Sequence, residues 1–322
     1  MPGMRALAKL DCRHCSRTFF GDLPSGNAVH SPCLLDIDTE EVTQQREASW
    51  FAKWLRQSYA DRSSEPVEVR IDRQRDIEQP ALLNCLDHLY GHALLKVLNA
   101  QRFAEQTEKD VVVLVQPNLR WLVPDSVAAV ATVDLSLSRG YEWNDSITQE
   151  IKGIVGDHEA VWLCQADPHS HPSTFDIEAA TGVTPHSREP EVWADPPTVT
   201  FIWRDDRCWT SIPPWAIVDD WLNDHLPVSV HRSPPGTFVG EQVDAVARRH
   251  QRRQVLKLEA ALREKLEDLD FAVAGIAESR NLPSRITDLR FPAPNSNEER
   301  RLCERYADST VVVGAHGSNM LL

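Results

Sequence analysis

The sequence is short of positive charge: 34 Lys and Arg stand against 48 Asp and Glu, for a formal net charge of −14. So negative a surface repels phosphate backbones, which argues against nucleic acid or an acidic membrane as a partner. A phosphate ligand would need a local basic pocket. Long apolar runs are missing too. None approaches the roughly 20 residues that span a bilayer, and the opening MPGMRALAKLDCRHC has no signal-peptide core, so the expectation is a cytoplasmic protein without a transmembrane segment. There is no even set of cysteines. Seven, scattered over 322 residues, suit reduced thiols better than a disulfide framework. A Gly-x-Gly-x-x-Gly fingerprint near a first strand is also absent, which counts against a dinucleotide-dependent oxidoreductase.

At 42% hydrophobic, a chain of this length can bury one large or two medium cores, and two is the better expectation. Attention goes first to its last residues, Thr310–Leu322, reading TVVVGAHGSNMLL. A β-branched run enters a Gly-x-His-Gly-Ser-Asn turn and leaves through apolar residues, as a strand, glycine loop and helix start would. Gly314 and Gly317 permit close backbone approach, Ser318 and Asn319 can cap a helix, and His316 adds a donor, which together describe an anion site.

Near the other end, Cys12, Cys15, His30 and Cys33 make a C-x2-C…H-x2-C pattern. Four N or S ligands in two close pairs suit a structural zinc knuckle, with His14 able to replace His30; the competing reading is a set of unligated thiols. Thr39–Tyr59, acid-rich at its start, predicts a helix. Residues 66–71 form a polar linker with strand character. Apolar positions from Leu82 through Leu98 recur at helical spacing up to Gln106, predicting a core helix with Gly91 inside it, at a cost of roughly 1 kcal/mol relative to alanine. His88 and His92 lie four apart on that helix; for His88 a satisfied or solvent-facing side chain is the favoured reading.

Val111–Val115 and Val127–Leu135 read as buried strands, Asp145–Ile154 as a helix and Val161–Gln165 as a short strand, which implies an α/β layered domain. His169 and His171 with Asp167 could be a metal cluster, but histidines in proline-rich coil favour the ordinary reading. Pro185, Pro190, Pro196 and Pro197 mark an interdomain hinge. Thr198–Trp203 is a clean strand, and Arg204 and Arg207 follow it, where α/β domains bind ligands; Asp205 and Asp206 could instead neutralise them. Thr237–Asp268 is a long helix whose basic cluster, Arg248 to Arg253, is interleaved with acids and reads as a solvated face. Strands at Phe271–Ile276 and within Arg285–Phe291, a helix at Asn297–Asp308 and the closing strand imply a second doubly wound domain.

Three segments in order resemble glycosyltransferases of the EGF-specific O-GlcNAc transferase and plant xylosyltransferase type: Asn84–Lys96 with its Tyr-Gly-His, Val199–Arg207, and Val311–Leu322. The resemblance covers residues 84–322 and implies two Rossmann-like domains in a GT-B-like arrangement, preceded by a small Cys/His segment. It implies a nucleotide-sugar donor, a carbohydrate or protein hydroxyl acceptor, and no cofactor beyond the possible structural zinc. Gly314, His316, Gly317, Ser318 and Asn319 would surround the donor diphosphate, and Arg204 and Arg207 would offset its charge. His92 would be the acceptor base, with Asp87 a poorer one. The expected domains are 1–38, 39–190 and 191–322. After His316-Gly317 the loop runs Ser-Asn-Met where the family has Ala-Gly-Leu-Thr-Asn, and the chain stops at Leu322. The donor domain is therefore expected to be cut short, completed through a homo-oligomer or left impaired. The alternative function is a noncatalytic binding or scaffold protein that retains the fold.

Overall fold

The computed structural model describes residues 1–44, 49–185, 196–203, 238–266, 268–277, 282–293 and 295–314. The chain divides into two compact units, Met1–Gly182 and Val183–Leu322. The arrangement is mixed α/β, with three sheets among the described residues.

The first unit opens with an antiparallel meander: β1 (Leu7–Asp11), β2 (Thr18–Asp22), β3 (Cys33–Asp36) and β4 (Val42–Gln44). Helix α1 (Ser49–Ala60) packs on it, and Phe51, Leu55 and Tyr59 share a core with Leu35 and Trp143. The helix predicted from Thr39 is thus divided. Residues 42–44 pair with Cys33–Leu35 as a strand, so the acid-rich stretch leads into a sheet edge, and the helix is described over Ser49–Ala60. Arg5 anchors this layer from inside. Its guanidinium donates to both Asp22 oxygens at 2.9 and 2.6 Å and to the Phe51 carbonyl, and lies over the Phe51 ring. A buried charge needs this much partnership to be tolerated.

The second sheet of this unit contains β5 (Val69–Arg73), β6 (Pro80–Asn84), β7 (Asp110–Val115), β8 (Ala129–Val133) and β9 (Trp162–Leu163), in the order β5-β8-β7-β6-β9. β5 runs antiparallel to β8; the other neighbours are parallel. Counting from β6, the parallel strands stand in the order 3-2-1-4. Helix α2 (Tyr90–Gln106) joins β6 to β7, α3 (Asp145–Val155) lies between β8 and β9 in sequence, and the short α4 (Ile177–Thr181) follows β9. Asn144 caps α3, its Oδ1 accepting from the N–H groups of Ser146 and Ile147. Ile147, Ile151 and Ile154 then bury against Val112, Leu114 and Ala131.

The expected helix from Leu82 needs correction. Pro80–Asn84 is strand, and α2 starts at Tyr90. A parallel strand buried on both faces is apolar at every position, and its leucines can mimic helical spacing when a helix follows. Two consequences follow for the histidines and the glycine. His88 precedes the helix and shares no helical face with His92, while Gly91 falls in the first turn, where the mid-helix glycine cost does not apply.

The second unit holds β10 (Thr198–Ile202), β11 (Asp270–Ile276), β12 (Thr287–Phe291) and β13 (Val311–Gly314), all parallel, in the order β12-β11-β10-β13. This too is 3-2-1-4 in chain order. Both faces are covered. Val255 of α5 (Phe238–Arg263) packs with Phe201, Phe271 and Val273, whereas Leu302 of α6 (Ser296–Asp308) packs with Ala272, Ala274 and Leu289. Asn295 caps α6 by accepting from the Glu298 N–H at 3.0 Å, with Glu298 and Glu299 in the first turn suiting the helix dipole.

On α5, Glu259 is fully buried and gathers two arginines, Arg285 in a bidentate pair at 2.8 and 2.9 Å and Arg263 one turn along. The Arg285 hydrogen bonds lower the Glu259 carboxyl pKa against the opposing effect of burial, with Arg263 adding to the fall. A lowered carboxylate stabilises the fold above its ordinary value near 4.5, and that contribution is lost as pH falls through the lowered value. Both arginines reach solvent, so Glu259→Gln is expected to cost about 1.5–3 kcal/mol at pH 7, the range for hydrogen bonds to charged groups. Urea midpoints of the two proteins should converge on acidification below pH 4.5; an undiminished gap at pH 3 would disprove the ion-pair account.

Candidate functional site

In open α/β sheets the carboxyl ends of the strands, where the strand order reverses, are the place for chemistry. In the first unit that place lies between β6 and β9. The chain leaves β6 through Cys85, Leu86 and Asp87 and leaves β9 through Cys164, Gln165, Ala166 and Asp167.

Asp87 is held from several sides. Its Oδ2 lies 2.7 Å from Lys96 Nζ, its Oδ1 accepts from the Leu89 N–H at 3.0 Å, and Gln116 brackets its backbone, donating to the carbonyl at 3.1 Å. Gly140 passes so close that a Cβ there would overlap the Asp87 carbonyl. Lys96 is the least expected of these residues. Its side chain is 1% exposed, and besides Asp87 it donates to the Leu86 carbonyl at 2.9 Å. Space for it comes from Gly26, at φ +59°, where a side chain would meet Lys96 Cε and Nζ at 3.2 Å.

His92, Lys96 and Asn99 stand at i, i+4 and i+7 of α2 and form a polar stripe beside the buried Ala93, Leu94, Val97, Leu98 and Ala100. His92 Nδ1 is buried and makes no hydrogen bond among the described residues; Asp87 Oδ1 lies 3.8 Å from it. Its side chain is 19% exposed, so the accessible part of the ring lies away from Nδ1. Burial lowers the His92 pKa; Asp87 opposes the shift, and His169 and Lys96 add to it. The ring is therefore neutral near pH 7, the form a general base requires.

A loop of the meander completes the site. Ser25 Oγ donates to the Cys164 carbonyl and the Gly26 N–H to the Gln165 carbonyl, both at 3.0 Å, which docks the turn before β3 on the end of β9. His30 is thereby placed with Nε2 3.1 Å from Asp167 Oδ1, which also accepts from the His169 N–H at 2.8 Å. Burial raises the Asp167 carboxyl pKa, but these hydrogen bonds outweigh it and hold the group below its ordinary value. Ala166, just before it, is in the left-handed region at φ 46°, a strained conformation for a non-glycine residue of the kind that gathers at functional sites. The imidazoles of His92, His169 and His30 then form a row, with ring centres 5.0 and 5.3 Å apart.

Asp87 and His92, both singled out from sequence, are thus brought together, though from a loop and a helix rather than along one helix. His88 lies beside them in a different role. It bonds the Leu137 and Ser138 carbonyls through Nδ1 and packs against Trp54 and Tyr141. The four proposed zinc ligands are distributed more widely. Cys12 and Cys15 share the β1–β2 turn, Cys33 is buried with its thiol toward the Ser31 carbonyl, and His30 faces Asp167. Among the described residues no three His, Cys, Asp or Glu side chains are arranged to hold a metal ion.

In the second unit β10 and β13 are adjacent and parallel, with Ile202 opposite Gly314. A Cβ at Gly314 would meet Ile202 Cβ at 2.9 Å and its carbonyl at 3.0 Å, so glycine is what allows the two strand ends to lie this close. Trp203, buried beyond β10, donates its backbone N–H to the Ala274 carbonyl at 2.7 Å, and its ring lies under the Arg290 guanidinium. Arg204, Arg207, His316, Gly317, Ser318 and Asn319 lie outside the described residues. No helix among the described residues is long and apolar enough to cross a membrane. Comparison with protein-family models, curated proteins and solved structures returned no match.

Proposed function

We propose that the protein is a glycosyltransferase that moves a sugar from a nucleotide-sugar donor to an acceptor hydroxyl, built on two Rossmann-like halves. The observation that carries this reading is the repeated strand order. Each unit has parallel strands in the order 3-2-1-4, the beginning of the doubly wound nucleotide-binding order including its reversal, and in each the residues suited to chemistry follow the two strands at the reversal.

In the first unit His92, neutral and with Nδ1 toward Asp87, takes the acceptor proton, and Asp87 steadies the resulting imidazolium. Lys96 holds Asp87 in place. In the second unit the segments that begin at Arg204 and after Gly314 follow neighbouring strand ends, which supports a diphosphate site of Arg204, Arg207, His316, Gly317, Ser318 and Asn319. The departing diphosphate is stabilised there by guanidinium and backbone N–H groups, and transfer calls for no further cofactor.

Thermal-shift measurements against uridine and guanosine diphosphates and their sugar conjugates test the reading. A ligand at a hundred times its Kd should add about 2.7 kcal/mol of stability, enough to raise the melting temperature measurably. A folded protein with no response to any nucleotide would instead mark a binding or scaffold protein that keeps the fold.

A further inference from the structure

The turn between β1 and β2 carries chemistry that the proposed reaction does not use. The Ser16 N–H donates to the Cys12 carbonyl at 3.0 Å, closing a single helical turn, and the Cys12 N–H donates to the Arg17 carbonyl at 2.9 Å, closing the hairpin. Residues three apart on one helical turn share a face, so Cys12 and Cys15 are neighbours. Ser16, at φ 55°, ends the turn in the left-handed conformation, and Arg17 follows it. Asp36 holds the Arg17 guanidinium at 2.5 Å.

We propose that Cys12 and Cys15 are a reversible dithiol–disulfide pair that exchanges with low-molecular-weight disulfides. Cys15 is the attacking sulfur: it is exposed and lies two residues before Arg17, a cation that favours the thiolate. Cys12, less exposed, is the resolving sulfur. Among the described cysteines the others are poor competitors. Cys33, Cys85, Cys164 and Cys303 are buried, and burial raises their thiols, Cys164 to about 11 and Cys303 to about 12.

The exchange balances in two steps. The Cys15 thiolate attacks one sulfur of a disulfide such as glutathione disulfide, forming a mixed disulfide and expelling one glutathione thiolate, which takes up a proton. The Cys12 thiol then gives up its proton and attacks Cys15 Sγ, expelling the second glutathione. Two electrons pass from the cysteine pair to the glutathione, and reduction reverses both steps.

The full-length protein, equilibrated in glutathione buffers of graded redox poise, then alkylated and digested with trypsin, tests the proposal. Cleavage after Arg13 falls inside the Cys12–Cys15 loop, so the disulfide should join two peptides that separate only on reduction. Cys12→Ser is expected to hold glutathione on Cys15, Cys15→Ser to show neither product, and Arg17→Ala to slow Cys15 alkylation several-fold at pH 7. No joined peptide at any poise would overturn the proposal. So would stoichiometric zinc retention that protects both thiols, which would make the pair metal ligands.

Discussion

Asp87→Ala is expected to lower the unfolding free energy of the first unit by about 3–5 kcal/mol, the cost of leaving one member of a buried ion pair without its partner. The magnitude follows from the surroundings of Lys96. Its side chain is 1% exposed, its stem is covered by Gly26, and the only other group it is seen to reach among the described residues is the Leu86 carbonyl. Water cannot take over from the lost carboxylate without opening the docked loop. Lys96→Met should cost a similar amount by stranding Asp87, while the double variant should be no worse than either single one, because an apolar pair removes both stranded charges. Urea denaturation read through the Trp143 region of this unit gives the four corners of the cycle. Strictly additive losses would show that the two residues act separately and that the ion pair is not what holds the β6–α2 junction.

Removal of the proposed base should have the largest effect on rate. His92→Gln is expected to reduce kcat/KM for sugar transfer by about 10²–10⁴-fold, the usual contribution of a positioned general base, while leaving the nucleotide-induced thermal shift intact. The pH profile makes the test more specific. A base acts in its neutral form, so activity is present above its pKa and lost as pH falls through it. Burial places the His92 pKa below the ordinary histidine value of 6.5, so the acid limb should lie below pH 6.5. His169 contributes to that lowering, and His169→Gln should therefore move the limb to higher pH with little change in the plateau. An unmoved limb in that variant, or full activity in His92→Gln, would remove His92 from the proposed mechanism.

Much of the fold was legible because local signals agreed with tertiary structure. The β-branched runs at Thr198–Ile202 and Val311–Val313 lie in parallel strands, and the helix read from Asn297 starts one residue earlier, at Ser296. Failures came where a pattern had two physical causes. Leu82 and Leu86 fit the period of the following helix, yet one is in β6 and the other in the turn after it, since a doubly buried strand has no alternation to betray it. The meander was hidden in another way. Its strands are short, and the paired cysteines drew the eye to metal chemistry in a segment whose order comes from Leu35, Phe51 and the Arg5–Asp22 pair.

The site was half legible. His92 stood out beside Gly91, and Asp87 was near enough to be noticed. Lys96 was not, because lysine on a helix ordinarily reaches water; the available signal was its spacing, four after His92 and three before Asn99, amid the apolar Ala93, Leu94, Leu95, Val97 and Leu98. The His30–Asp167 pair spans 137 residues, and no local pattern encodes a contact made by one loop settling on the end of a distant strand.

That settled loop also determines how the chain can be divided. Gly26 is both a turn residue of the meander and the lid over a buried ammonium, and Ser25 is tied to the backbone after β9. A deletion of residues 1–38 would accordingly not detach an accessory module. It would uncap Lys96, free the end of β9 and strip His30 from Asp167, so the first thirty-eight residues behave as the floor of the parallel domain and any exchange of segments between related chains would have to carry both together.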